Sequence, residues 1–246
     1  HNHLWKEKNM SAGFDLNYAN LLPYFSLIKQ TPEYTRSPQF AGGSANFRKK
    51  TSETGILKFY GYFNISDLGL KTASLDSALP YKNLFELKND NIYTNLTYKE
   101  RLGENYILTA GASYSTNLDK INMNTDTIRS QSDLSQGRAM VSRGFGKLSI
   151  LRAGVEYQYS FDGFQNRYFK KNIYDTYTAE FIEADIFLST KLVWRAGLRN
   201  EYSTLMKRLR LAPRTSVSYK LGEFSQVSVA YGQFYQKPDR DYLFYP

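Results

Sequence analysis

The feature that most constrains the fold is a strict alternation of apolar and polar residues along stretches of about ten positions. In residues 211–221, LAPRTSVSYKL, apolar side chains such as Val217 and Tyr219 occupy odd positions, while Arg214 and Lys220 occupy even positions. Successive side chains of a β-strand point to opposite faces, so this stretch predicts a strand with one apolar and one polar face. A short turn joins it to a second alternating stretch, and the two together predict an antiparallel hairpin.

The same alternation recurs along most of the chain. Further examples are residues 55–64, 91–99, 105–115, 151–160 and 191–203. We count about eleven such strands, many of them longer than the roughly 5–6 residues typical of soluble domains. Their length suits a tilted membrane-spanning strand, which needs about 9–11 residues.

Composition argues against a helical membrane protein but does not decide between a membrane β-barrel and a soluble β-sandwich. The 246 residues are 41% hydrophobic with a mean hydropathy of −0.53, and no run of about 18 apolar residues predicts a transmembrane helix. A membrane β-barrel is compatible with these values because only alternate residues face lipid. The 21 Tyr and 16 Phe suit the aromatic girdles of a barrel, although a soluble β-sandwich could carry them too.

Several kinds of site are not expected. The absence of cysteine excludes disulfides and thiolate metal sites. His1 and His3 are the only histidines, so we predict no metal centre, and the chain shows no GxSxG or P-loop motif. We therefore predict neither an enzyme nor a bound cofactor. The net charge of +9 is spread along the chain, which favours solvated turns, loops and lumen over a nucleic-acid partner.

The connections between strands alternate in length. Short turns are predicted at 51–55, 100–105, 144–147, 189–191 and 221–225, and longer polar links near 67–84, 116–135, 161–173 and 203–207. Up-and-down outer-membrane barrels have short turns at one end and longer loops at the other, whereas a Greek-key sandwich has no reason to do so. Residues 9–19 predict a strand, and residues 20–40, with three prolines, predict a loop.

Charged residues interrupt the polar face in mid-strand. The candidates for a barrel lumen are Arg152, Glu156, Arg195, Arg199, Glu201 and Arg214. The arginines could favour an anionic ligand, but ion pairs with acids on adjacent strands are the preferred interpretation. Glu183 and Asp185 lie two apart on one strand face, where they could bind a cation or act in acid–base chemistry. Pairing with neighbouring Arg or Lys is again preferred.

The segment NLDKINMNTDTIRSQSD is rich in oxygen ligands and is predicted to be an external loop. Its acidic residues are Asp119, Asp126 and Asp133. Calcium is conceivable there, but the spacing lacks the Gly and Glu of an EF-hand, so a solvated loop is favoured.

Four short motifs near the C-terminal end resemble the barrel of TonB-dependent outer-membrane receptors. They are GLRNEY (197–202), APR (212–214), SYKLG (218–222) and YGQFYQKP (231–238), and residues 44–63 resemble an earlier hairpin of Bacteroidetes-type receptors. The resemblance implies an all-β, antiparallel, up-and-down transmembrane β-barrel of 22 strands in the outer membrane of a Gram-negative bacterium. It also implies contact with outer-membrane lipid and import of a scarce nutrient, such as a ferric chelate or glycan, powered by the TonB complex through a plug. A surface lipoprotein is left open as a further partner.

The chain departs from that pattern, because it shows no plug and only about half the strands. We therefore expect residues 1–246 to be a partial barrel domain whose plug and remaining strands lie outside this sequence. A barrel must close, since an open sheet edge in lipid leaves N–H and C=O groups unpaired. The alternatives are a complete small barrel of about 12 strands, acting as a porin or secretion translocator, and a soluble β-rich binding module.

Overall fold

The computed structural model describes residues 1–28, 30, 33–73, 82–124, 126–146 and 148–244. These residues form twelve strands and two short helices. The strands are β1 (Asn2–Trp5), β2 (Met10–Asn20), β3 (Glu33–Lys50), β4 (Ile56–Ala73), β5 (Lys82–Leu102), β6 (Tyr106–Met123), β7 (Asp126–Phe145), β8 (Ser149–Gln165), β9 (Lys170–Phe187), β10 (Leu192–Ser203), β11 (Arg208–Lys220) and β12 (Gln226–Gly232). The helices are α1 (Leu22–Leu27) and α2 (Arg240–Phe244).

The twelve strands form one antiparallel sheet in which every strand pairs with its neighbours in sequence, from β1 to β12 without a crossover. At one end, called here the turn end, tight turns join β3 to β4, β5 to β6 and β7 to β8. Gly103 and Gly146 reverse the chain there with φ of 66° and 61°, a conformation that glycine adopts without steric cost. At the opposite, loop end, the chain passes from β6 to β7 and from β8 to β9. The predicted all-β, up-and-down antiparallel architecture is confirmed.

The sheet is a single layer without a hydrophobic core. Among the described residues, only Ala179, Ala212 and Phe244 are buried apolar residues. The accessible surface is 17136 Å², whereas a compact monomer of 28.4 kDa would expose about 11,000 Å². A soluble β-sandwich would cover its apolar face with a second sheet, and no such layer is present among the described strands.

The register collects the apolar side chains on one side of the sheet, the apolar face. Leu96 lies between Phe59 and Ala112 on the neighbouring strands, and Trp194 lies between Ile186 and Val217. The side chains of opposite parity form the polar face. Large apolar residues on the apolar face are exposed from one edge of the sheet to the other, among them Leu16, Phe63, Leu96, Val155, Leu198 and Val229.

The apolar face has the height of a bilayer core. On β5 its residues Tyr98, Leu96, Thr94 and Ile92 lie between two carboxylates, Glu100 at the turn end and Asp90 towards the loop end. Ten residues of strand span about 33 Å, and a strand tilt of about 40° reduces this to about 25 Å along the membrane normal, the height of the apolar band on outer-membrane barrels. One carboxylate, Glu180 on β9, lies on the apolar face, where it accepts a hydrogen bond from Asn200 at 3.0 Å.

Several predicted loops are strands instead. We expected about eleven strands, and the sheet has twelve. Residues 33–40, predicted as loop, form the first part of β3. Strands β4 to β9 are 17 to 21 residues long and take up most of the links predicted near 67–84 and 116–135. Beyond the apolar band both faces of the strands are polar, so the alternation of apolar and polar residues disappears from the sequence. The backbone hydrogen bonds between the strands nevertheless continue there. Residues 74–81 of the first link lie outside the described residues.

The described strands leave both edges of the sheet open. β1 has four residues and pairs only with β2, and β12 has seven and pairs only with β11. A complete small barrel would join these two strands, and the described residues contain no such ladder. Neither described helix is long and apolar enough to cross a membrane.

Candidate functional site on the polar face

A network of alternating charges crosses the polar face from β7 to β10. Arg199 contacts Glu156 at 2.5 Å and donates a second hydrogen bond, 2.9 Å long, to the hydroxyl of Tyr177. That hydroxyl in turn donates to Glu201, and Arg138 approaches Glu156 from the other side at 3.3 Å. Because two arginines meet two glutamates, the network is neutral.

A second cluster lies nearer the turn end of the same strands. Asp185 accepts hydrogen bonds from Arg152 at 2.8 Å and from Arg195 at 2.5 Å. Glu183 lies 3.8 Å and 3.6 Å from the same two guanidinium groups. The predicted pairing of Glu183 and Asp185 with neighbouring arginines is confirmed.

Arg214 behaves differently from the other predicted arginines. Its guanidinium lies over the ring of Phe234 at 4.7 Å, and Arg210 lies over Tyr235 at 4.8 Å. Arg208, Arg210 and Arg214 alternate along the polar face of β11, and none of them forms an ion pair with a described residue. These three residues are called the β11 arginine strip.

Residues 233–244, which follow β12, return over the polar face and are held there by Asp175. This carboxylate is only 2% exposed and accepts hydrogen bonds from Lys237, from the Ser203 hydroxyl at 2.8 Å and from the Leu205 amide at 3.0 Å. Further along, Phe244 packs against Phe164 with ring centroids 5.5 Å apart. A hollow of about 290 Å³ between this segment and the wall is lined by Tyr177, Arg199, Arg208, Arg210, Tyr235 and Lys237, among others.

The three acidic residues predicted in an external loop lie in strands. Asp119 is on β6, and Asp126 and Asp133 are on β7. Asp119 accepts a hydrogen bond from Asn89 at 2.6 Å on the polar face, whereas Asp133, on the opposite face, accepts one from Thr116 at 2.5 Å. The loop prediction is wrong because this polar sequence continues the β6–β7 hairpin. The described residues hold no group of three or more acidic, His or Cys side chains suited to a metal ion.

The polar face of β4 to β6 is mostly uncharged. Tyr60, Tyr62 and Tyr93 form an aromatic group with ring centroids 5.6 to 6.4 Å apart. A shallow hollow of about 520 Å³ beside it extends to β8, and its lining includes Asn, Thr, Ser and Gln side chains together with Arg138 and Glu156. Sequence reasoning missed this aromatic group, and it also missed Tyr177, Asp175 and Lys237, whose partners are up to 62 positions away.

Comparison with known proteins shows a resemblance to several outer-membrane receptors and transporters in structure but not in sequence. No protein family and no curated protein matches the sequence. The outer membrane transporter YddB of Escherichia coli superposes with a TM-score of 0.73 at 11% identity, over 96% of this chain and 38% of that one. The alcaligin outer membrane receptor FauA of Bordetella pertussis gives 0.68 at 10% identity, over 91% and 38%. The RagAB peptide transporter gives 0.66 at 9% identity, over 91% and 35%.

The fold is that of part of the barrel in these outer-membrane receptors and transporters. In such a barrel the apolar face is the lipid surface and the polar face lines the lumen, which matches the two faces described above. The chain spans less than half the length of the solved structures that it matches.

Proposed function

We propose that the chain is part of the barrel wall of a TonB-dependent receptor that imports a scarce nutrient across the outer membrane of a Gram-negative bacterium. The observation that carries the proposal is the single-layer sheet of twelve strands, with one face apolar over about 25 Å and the other polar, with charged networks on β7 to β10. A polar face of neutral ion-pair networks suits a water-filled lumen. The apolar face would be unfavourable in water and favourable in lipid.

The remaining parts of the receptor would lie outside this chain. Outer-membrane transporters with plugged lumens have 22 strands, so about ten further strands would join β1 to β12 and close the barrel. The plug inside it would receive energy from the TonB complex in the inner membrane. A surface lipoprotein remains a candidate partner at the loop end.

The predicted lumen residues divide into two roles. Arg152, Glu156, Arg195, Arg199 and Glu201 would stabilise the wall, because each has an oppositely charged partner within the polar-face networks of β7 to β10. Arg214, with the rest of the β11 arginine strip, would line the path of the nutrient and favour an anionic one. Asp119, Asp126 and Asp133 would stabilise the extension of the barrel beyond the membrane rather than bind a ligand.

The substrate stays open between a ferric chelate, a peptide and a glycan. Two of the structural neighbours differ in just this respect, since one is described as an alcaligin receptor and the other as a peptide transporter. A wall fold shared at about 10% identity does not carry substrate choice, which depends on individual loop and lumen side chains.

Uptake measurements in cells test the proposal. Accumulation of ferric chelates, peptides and oligosaccharides would be compared in strains lacking this receptor, lacking TonB, or lacking neither. We expect one nutrient class whose uptake falls to background in both deletion strains. Uptake that needs this protein but persists without TonB would contradict active import and favour a passive pore.

A pair of charge variants tests the lumen assignment. The double variant Arg210→Gln/Arg214→Gln should raise the KM for an anionic nutrient several-fold without lowering the amount of folded receptor. The matched control, Lys191→Gln/Lys220→Gln at the turn end, should leave the KM unchanged. Equal effects of the two variants would contradict a specific role for the β11 arginine strip.

A further inference from the structure

A row of basic side chains crosses the apolar side of the sheet near its loop end. Lys88 on β5 pairs directly with Lys120 on β6, and Lys120 pairs directly with Arg129 on β7. Lys170 on β9 continues the row after Gln165 of β8. We call these four cations the rim row, and all four are exposed.

The arrangement is unfavourable by itself. Like charges directly opposite one another on adjacent strands destabilise a sheet, and the rim row places three of them side by side. Lys88 has only a weak contact with Asp90 at 3.9 Å. Lys120, Arg129 and Lys170 form no ion pair with a described residue.

Apart from Asp90, the neighbouring carboxylates are engaged elsewhere, including Asp67, which lies directly opposite Lys88 in the register. Asp67 is held by Arg36 at 2.8 Å, and Glu86 accepts a hydrogen bond from Asn122 at 3.0 Å. Asp133 accepts hydrogen bonds from Thr116 and Gln131 at 2.5 and 2.8 Å. Apart from the weak contact between Lys88 and Asp90, the rim row therefore forms no ion pair with a described residue, and an external anion would supply the missing compensation.

The position of the rim row identifies where that anion would come from. Lys88 lies two residues beyond Asp90, which ends the apolar band on β5, so it is about 7 Å further along the strand. An open hollow of about 400 Å³ lies against the row, with Leu118 and Phe161 in its lining. Long basic side chains at such a boundary extend towards the charged headgroups while their stems cover apolar surface. The hollow thus combines cationic groups with apolar contacts, and Asp90 and Asp119 also line it.

We propose that the rim row binds the phosphate groups of an anionic lipid headgroup in the outer leaflet, such as that of lipopolysaccharide. The proposed function enters only through the orientation, with the loop end outside the cell. The row binds phosphate by charge-assisted hydrogen bonds, which are among the stronger polar contacts available. It would fix the height and rotation of the barrel in the leaflet, separately from nutrient import.

Binding to the purified complete receptor tests the proposal. Native mass spectrometry would measure binding of lipopolysaccharide and, separately, of inorganic pyrophosphate. The test variant is Lys88→Gln/Lys120→Gln/Arg129→Gln. The control, Lys50→Gln/Lys191→Gln/Lys220→Gln, removes the same charge at the turn end, where all three lysines are exposed. A second variant, Lys88→Arg/Lys120→Arg, keeps the charge.

We expect the test variant to bind lipopolysaccharide at least tenfold more weakly, with the control and the arginine variant unchanged. Equal losses in test and control variants would overturn the site. Pyrophosphate binding as tight as that of the lipid, lost in the test variant alone, would overturn the lipid assignment and indicate a soluble phosphate ligand at the same site. Nutrient uptake should be unaffected in the test variant. Failure of the lipid-binding inference would therefore not contradict the proposed function, and failure of the proposed function would not contradict lipid binding.

Discussion

Placing an arginine at Leu96 is the sharpest perturbation of the apolar face. Leu96 is 44% exposed and lies near the middle of the apolar band on β5, four residues from Glu100 and six from Asp90. Its cross-strand neighbours are Phe59 and Ala112, so an arginine there finds no carboxylate opposite it. The matched control is Asn95→Arg, which adds the same side chain one residue away on the polar face, between Tyr60 and Ser113.

The two substitutions should lower the free energy of unfolding by different amounts, because one places the charge in lipid and the other places it in water. An arginine on the lipid face near the bilayer midplane costs about 2–4 kcal/mol. In the wet lumen the main cost is the hydrogen bond from Asn95 to the Tyr93 hydroxyl, 2.9 Å long, or about 1 kcal/mol. We therefore expect the outward arginine to be more destabilising by about 2 kcal/mol.

The assay is reversible unfolding by guanidinium chloride of the complete receptor in lipid vesicles, followed by tryptophan fluorescence. A gel-mobility shift on heating reports the folded fraction independently. If Leu96→Arg destabilises the barrel no more than Asn95→Arg does, the apolar face is not in contact with hydrocarbon and the assignment of the two faces is wrong.

Three further predictions concern named contacts. A double-mutant cycle of Arg199→Gln and Glu156→Gln should give a coupling of about 1–3 kcal/mol in the free energy of unfolding, because both side chains are more than four-fifths buried. A coupling near zero would contradict the ion-pair network. Asp175→Asn should speed hydrogen exchange of the amides in 204–207 at least tenfold, because Asp175 holds that turn, while unchanged exchange would show that the turn does not depend on it. Glu180→Gln should leave stability unchanged or raise it by up to about 1 kcal/mol, since it removes a charge from the lipid face, and a loss above that size would mean that Glu180 has an unrecognised partner.

The fold was predictable where the two faces of a strand differ in solvent. Within the apolar band the alternation marks each strand, as in residues 105–115 and 211–221. Above the band the alternation disappears, because both faces meet water. Residues 116–135 were therefore predicted as a loop although β6 and β7 pair through most of them. Backbone hydrogen bonding does not depend on side-chain polarity, so no local pattern could have indicated the extension.

The sequence predicted which charged residues lie on the polar face better than it predicted which partners they contact. The charges on β8 to β11 were identified because they interrupt a regular polar face, and most of them pair as expected. The partners that come from distant segments were not identified. Lys237 reaches Asp175 from 62 positions away, and Arg214 has no acid opposite it because its register partners are Gly197 on β10 and Gly232 on β12. Such contacts depend on the register of the whole sheet.

The central claim is that successive residues of one strand face lipid and water in turn, and site-directed spin labelling tests it most directly. The 246 residues contain no cysteine, so single cysteines can be placed from position 108 to position 114 on β6 of the complete receptor, once any cysteine elsewhere is replaced. Collision rates of the labels with oxygen and with a water-soluble nickel chelate would be measured in outer-membrane vesicles. We predict high oxygen and low nickel accessibility at 108, 110, 112 and 114, and the reverse at 109, 111 and 113. Equal nickel accessibility on both parities would contradict the barrel-wall account.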